Sequence, residues 1–212
     1  MTCSLCETRK GKRFCPALGR QICAQCCGEA REETLDCPLD CPFLVDSRGH
    51  ERRAGIDPAQ FPFEEIRISE AFLRDNEDLL VAAAESVLAS AFQVPGAVDG
   101  DTREALDALT RTYKTLQSGV YYETTPHNPM AAAIAQGVRQ GLDQFRQQER
   151  QRTGVTHTRD ADVLGVLVFL LRMALDEDNG RKLCKRFLHK LYQHFRPEAP
   201  SARQPSLIVP GA

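Results

Sequence analysis

Cys23-Ala24-Gln25-Cys26-Cys27, followed by Cys37-Pro38-Leu39-Asp40-Cys41, is the part of the sequence whose reading decides how the chain begins to fold. Moving outward toward the amino terminus adds Cys3-Ser4-Leu5-Cys6 and a single Cys15-Pro16. Eight of the nine cysteines in 212 residues therefore crowd between positions 3 and 41. Disulfides, an iron–sulfur cluster and zinc compete to explain such crowding. Disulfides need an oxidising compartment, and an adjacent pair such as Cys26-Cys27 suits them badly. The closely spaced ferredoxin run that ends in Cys-Pro is absent. Zinc fits the spacing, because Cys3-x2-Cys6, Cys23-x2-Cys26 and Cys37-x3-Cys41 are short knuckles. Each lets two thiolates reach one tetrahedral ion at about 2.3 Å per bond.

Eight thiolates make two four-coordinate sites. One arrangement uses all of them: Cys3, Cys6, Cys23 and Cys26 in the first site, and Cys15, Cys27, Cys37 and Cys41 in the second. Exchanging Cys26 and Cys27 satisfies the spacing equally well. Either way the sites interleave along the chain, and about two zinc ions per chain are expected. The metal has a physical task here. Apolar residues in the segment are few, chiefly Leu5, Phe14, Leu18, Ile22, Leu35, Leu39, Phe43, Leu44 and Val45. So small a core does not fold alone. Structural zinc contributes on the order of 10–16 kcal/mol of coupled binding and folding.

The order Cys3-x2-Cys6-x8-Cys15-Pro16, then Cys23-x2-Cys26-Cys27, then Cys37-x3-Cys41, resembles the bipartite cross-brace fingers of the HIT, MYND and B-box classes over residues 1–45. The resemblance implies two zinc ions and a role in protein–protein contact. Those fingers carry a further ligand three residues after the position matched by Cys15. That position is Leu18 here, and Cys27 has to replace it. The stretch from Cys15-Pro16-Ala17-Leu18-Gly19-Arg20-Gln21-Ile22-Cys23 to Cys41-Pro42-Phe43 is also similar to a group of bacterial proteins that join such a finger to a helical tail.

Charge narrows the function classes. Lys and Arg total 27 against 29 Asp and Glu, which excludes a whole-protein polyelectrolyte of the histone type. The run Arg9-Lys10-Gly11-Lys12-Arg13 is expected to offset thiolate charge or to stay solvated. No histidine precedes His50, which reads as exposed linker, so a catalytic zinc with an open position is not indicated. No phosphate-binding glycine loop, nucleophile elbow or metalloprotease helix is present, and no catalytic residue is assigned. No apolar run reaches the roughly 18 residues of a membrane span, and the start lacks signal-peptide order. A cytoplasmic protein is expected.

Beyond the cysteines, the fold class predicted is a small zinc-stabilised finger (1–45), a linker (46–63), an all-α bundle of about five helices (64–196) and a flexible tail (197–212). The linker's phenylalanines are expected to tuck onto the bundle. The first helical stretch covers 64–92, with a break at Asp75-Asn76 and a stop at Pro95-Gly96. The second starts at Asp101, with Glu104 as capping partner, and ends at Gly119. The tyrosines of the loop 120–127 are expected to pack onto the bundle. The third helix has Asn128 as N-cap and Pro129 at its first position, and Ala133, Gly137 and Gly141 permit close helix approach. The fourth, 163–175, is apolar all round and belongs at the centre. The fifth, 181–195, is two-faced, with Cys184 on its apolar stripe and Arg181, Lys182, Lys185, Arg186 and Lys190 on the other.

The leading functional reading is a zinc-binding interaction protein, adaptor or regulatory, whose partner is another protein. The alternatives are nucleic-acid binding through the basic helix 181–196, or a thiol–zinc redox sensor.

Overall fold

The structure is a computed structural model and describes residues 1–50 and 61–195. The predicted tail 197–212, with Arg196, and positions 51–60 of the linker lie outside the described residues. Within them the chain forms eight helices and one two-stranded sheet.

The first module is built on a hairpin. Strands β1 (Arg13–Cys15) and β2 (Arg20–Ile22) pair antiparallel, with Phe14 opposite Gln21. The turn between them closes on the Cys15 carbonyl, which accepts from the Leu18 and Gly19 amides. Gly19 takes a left-handed φ of 63°, where a side chain would be strained. Helix α1 (Ala24–Ala30) follows, and helix α2 (Pro42–His50) closes the module. The 45/46 boundary therefore falls inside α2, and the predicted linker is helical through His50. Pro42 suits the first turn of a helix because its missing N–H has no intrahelical partner there. Besides cysteines, only Ile22, Leu35 and Leu44 are buried hydrophobics in this module.

The second module holds the large core. Phe63 packs at its edge, as expected of the linker's phenylalanines, and Ile66 and Ile68, just past the predicted linker, pack beside it. Arg172 donates to the Pro62 and Phe63 carbonyls (3.3 and 2.6 Å) and lies over the Phe61 ring. The first predicted helix is two: α3 (Glu70–Asp75) and α4 (Glu77–Gln93), broken at Asn76. It starts at Ser69 rather than residue 64, because the Ser69 hydroxyl accepts from the Phe72 amide and caps it. Helix α5 (Asp99–Gln117) begins two residues earlier than predicted. Asp101 is not its N-cap. Its carboxylate sits in the first turn and accepts from the Val98 amide (2.9 Å), while Glu104 accepts from the His127 and Asn128 amides.

Helix α6 (Pro129–Thr153) is capped by Asn128 as predicted, and its end at Gly154 is left-handed, φ 82°. Helix α7 (Asp160–Asp176) is buried over most of its length. Each fully buried Leu there is worth about 1.5–3 kcal/mol. Helices α4, α6, α5 and α7 close a ring in which each packs on two others, so α7, though buried over most of its length, is one side of the ring rather than the centre expected of it. Gly137 and Gly141 of α6 lie directly over Ser90 and Ser86 of α4, so close helix approach holds for both, whereas Ala133 is exposed. Tyr121 and Tyr122 are 67% and 65% exposed, contrary to expectation. Their loop is held instead by backbone bonds to Thr112 and Thr115 and by Glu123 to Arg139 (2.6 Å).

The last helix, α8 (Arg186–His194), packs on α4 and α5 and is shorter than the predicted 181–196. Residues 181–185 are not helical, because their amides and side chains bond elsewhere. Asn179 Oδ1 takes the Arg181 amide, and carboxylates or carbonyls of the first module take those of Leu183 and Lys185.

Candidate metal centre

The knuckle at residues 3–10 folds back on the hairpin. The Cys3 amide donates to the Arg9 carbonyl (2.7 Å), Glu7 turns through a left-handed φ of 56°, and Thr2 bridges Lys10. The Ser4 amide then donates to the Gln21 carbonyl (3.0 Å), which seats the knuckle beside β2. Gly11 passes so close to Gln21 that a β-carbon would meet its backbone carbonyl carbon at 3.2 Å. Cys23 is the N-cap of α1, its sulfur accepting from the Cys26 amide at 3.4 Å.

These contacts bring Cys3, Cys6, Cys23 and Cys26 together, with their four sulfurs all within 4.8 Å of one another. Tetrahedral coordination with bonds of about 2.3 Å needs sulfurs about 3.8 Å apart, so small side-chain adjustments close the shell. The donor set fits a metal ion. Cys26, rather than Cys27, belongs to this group, which separates the two exchangeable neighbours.

The surroundings suit concentrated negative charge. Arg9 Nη2 lies 3.4 Å from the Cys26 sulfur, and Arg9 also bonds Gln25. The sulfurs hold the Arg9 pKa above its ordinary value, the Cys6 thiol first and Cys26 next. Of the basic run, Arg9 thus has the charge-offsetting role expected of it. The Thr8 side chain, with the backbone N–H groups of Arg9 and Thr8, pulls the Cys6 thiol down to about 5. Burial pushes Cys3 upward, but the N–H groups of Cys6, Cys23 and Leu5 outweigh it and leave its pKa lowered. Burial, with the Cys23 side chain, raises Cys26 to about 12. Cys3 and Cys6 thus ionise more easily than an ordinary thiol and Cys26 less easily, and a divalent cation bound among them would supply the charge that ionises the set.

The remaining four amino-terminal cysteines are not gathered as tightly, since among the described residues only Cys3, Cys6, Cys23 and Cys26 form a group close enough to share an ion. Cys15, Cys27, Cys37 and Cys41 line one cavity of about 10 Å3, together with Ile22, Leu35 and Phe43. Burial pushes the Cys37 thiol up, the Glu32 backbone N–H beside it acts the other way, and the Cys41 and Cys15 sulfurs add to the rise. All nine cysteines are free thiols.

The ninth, Cys184, is buried but not on a helical stripe. It lies in the non-helical approach to α8, and its thiol faces the Asp99 carboxylate at 3.4 Å. Burial and that carboxylate push it up to about 12.

The basic positions proposed for nucleic acid are largely engaged within the chain. Arg181 donates to the Gly28 and Arg31 carbonyls, and Lys182 pairs with Glu33 (3.7 Å). Lys185 pairs with Asp36 (2.6 Å), while Arg186 and Lys190 share buried Glu177. The pairing of Lys182 and Lys185 was not readable from the helix alone, because Glu33 and Asp36 stand about 150 residues earlier.

No helix among the described residues is long and apolar enough to cross a membrane. No protein-family model matches the chain, and no curated protein or solved structure matches it.

Proposed function

We propose that residues 1–50 form a two-zinc cross-brace module and that the chain acts as an interaction protein, adaptor or regulatory, whose partner is another protein. The observation that carries this reading is the four-sulfur cluster of Cys3, Cys6, Cys23 and Cys26. The cavity lined by Cys15, Cys27, Cys37 and Cys41 supports a second ion there. Four thiolates close each shell, leaving no position for a reacting water, so the metal is structural. Thiolate sets favour zinc among the common divalent ions. The need for metal is supported by a core of only Ile22, Leu35 and Leu44 beside the sulfurs.

A protein partner is supported by what the module leaves outside. Leu5, Phe14, Leu18 and Val45 are exposed on a unit with few apolar residues. The competing nucleic-acid reading is less favoured, since most of the cations it requires pair with acids or carbonyls of the same chain, while Lys182 stays largely solvated.

Elemental analysis of the purified full chain tests the metal. About two zinc ions per chain are expected, and Cys15→Ser should lose one while the first cluster keeps its own. Metal-free, folded protein would end the proposal. For the partner, native co-purification should recover a protein that Phe14→Glu with Leu18→Glu no longer retains, at unchanged zinc content.

A further inference from the structure

Glu32 occupies an unusual place. It lies between Cys27 and Cys37, is 1% exposed and has a left-handed φ of 51°. A tight turn holds it there, in which the Ala30 carbonyl accepts from the amides of Glu33, Thr34 and Leu35. Its backbone N–H faces the Cys37 sulfur. Every other polar group of Glu32 reaches toward the remainder of the chain. Oε1 accepts from Arg48 Nη2 (2.8 Å) and from the Lys185 amide (3.2 Å). Oε2 accepts from Asn179 Nδ2 (3.1 Å), and the carbonyl accepts from the Leu183 amide (2.8 Å).

The segment that Glu32 holds is also held from the other side. The buried Asp99 carboxylate, at the start of α5, accepts from the Phe187 and Leu188 amides (2.8 and 3.1 Å) and from the Cys184 thiol. The Asp99 amide donates to the Cys184 carbonyl (2.8 Å). Residues 183–188 are thus suspended between two buried carboxylates, one from the cysteine module and one from the bundle. Further ties to the module come from Arg181, bonded to the Gly28 and Arg31 carbonyls, and from the Lys182–Glu33 and Lys185–Asp36 pairs.

We infer that metal occupancy of the cysteine module and the seating of the segment leading into α8 form one linked equilibrium, with Glu32 as the joint. The inference rests on the reading that the module binds metal. Three buried aliphatic side chains cannot keep the module ordered once its sulfurs are released. Glu32 then leaves its strained turn, and the Leu183 and Lys185 amides and the Asn179 amide group lose their acceptor. Asp99 keeps its bonds, because it belongs to the bundle's own core. Linkage is reciprocal, so loosening the segment must weaken metal binding by the same factor that metal loss loosens the segment.

Residue-resolved hydrogen exchange on the full chain, loaded with zinc and then stripped by chelator, tests this. Metal removal should speed exchange at Leu183 and Lys185 by about tenfold or more, within the usual span of coupled sites. Phe187 and Leu188, held by Asp99, should change far less. Glu32→Gln should keep its zinc stoichiometry yet speed exchange in the loaded state at Lys185, whose amide the side chain accepts, with zinc affinity lower by a matching factor. Arg181→Ala removes a tie without leaving a buried charge, and should move both quantities the same way should Glu32→Gln fold poorly. Unchanged exchange at Leu183 and Lys185 on zinc removal overturns the inference and leaves the metal site standing. So does either variant loosening the segment with zinc affinity unaltered. A chain that never takes up zinc overturns both.

Discussion

Asp99 shows how a buried carboxylate becomes a pH dependence. Burial raises its pKa to about 6, against the opposing pull of the Leu188 and Phe187 amides and the Cys184 thiol. A carboxyl whose pKa is higher folded than unfolded binds its proton more tightly in the native state. Its contribution is therefore most favourable below about pH 4 and declines as pH rises through about 6. The full loss is on the order of 3 kcal/mol. Asp99→Asn should flatten that part of the stability curve between pH 4 and 7, measured by urea denaturation at each pH. A slope unchanged in the variant would assign it to other groups. The cysteines divide by partner rather than by type. Cys3→Ser should release metal and unfold the first module, whereas Cys184→Ser, which keeps a donor facing Asp99, should leave zinc content unaltered in elemental analysis.

Among the elements, glycines mark close approaches between α4 and α6 and between Phe72 of α3 and Gly165 of α7. A β-carbon at Gly141 would meet the Ser86 β-carbon at 2.6 Å, and one at Gly137 would meet that of Ser90 at 2.9 Å. Alanine gains about 1 kcal/mol of helix propensity over glycine. Overpacking costs about 1–3 kcal/mol and should win at both sites, because the obstacles are β-carbons anchored to a helix backbone. Chemical denaturation should find Gly141→Ala less stable than the parent. Gly165 of α7 lies under the Phe72 ring, so Gly165→Ala should also displace α3. The ion pairs near α8 rank by exposure. Lys182 and Glu33 are largely solvated, and Lys182→Ala should change stability by less than about 1 kcal/mol. Glu177, 5% exposed between Arg186 and Lys190, should cost about 3–5 kcal/mol when replaced by alanine, because two cations then lose a buried partner.

Taken as a whole, the described residues have two cores of different composition, one apolar and one rich in cysteine. The bundle owes its stability to apolar area, with Leu106, Leu109, Ile134, Leu142, Leu164, Leu167, Leu170 and Leu171 almost wholly buried. The cysteine module has little apolar area, and its four-sulfur cluster could hold a metal ion in place of a core. Chelating the full chain should therefore melt residues 1–50 and leave most of the helix signal, since six of the eight helices lie in 61–195. Far-UV circular dichroism that collapses on chelation would show the bundle to be unstable without its neighbour.

Local signals were legible where they act locally. The cysteine knuckles, the break at Asn76, the Asn128-Pro129 start of α6 and the apolar run of α7 could all be read from residue type and spacing, because turn chemistry, capping and periodicity involve only near neighbours. The grouping of Cys26 with Cys3, Cys6 and Cys23 needed the hairpin register that lays the knuckle beside β2. The end of the chain needed more. Residues 181–185 have the composition of a basic helix, yet they are extended or turned because Glu32, about 150 residues earlier, accepts the backbone hydrogen bonds that a helix would have kept. Spacing determines which thiols can share an ion. Which charges meet, and which backbone amides a buried carboxylate captures, is decided only when distant segments are brought to within about 3 Å, the range of a hydrogen bond.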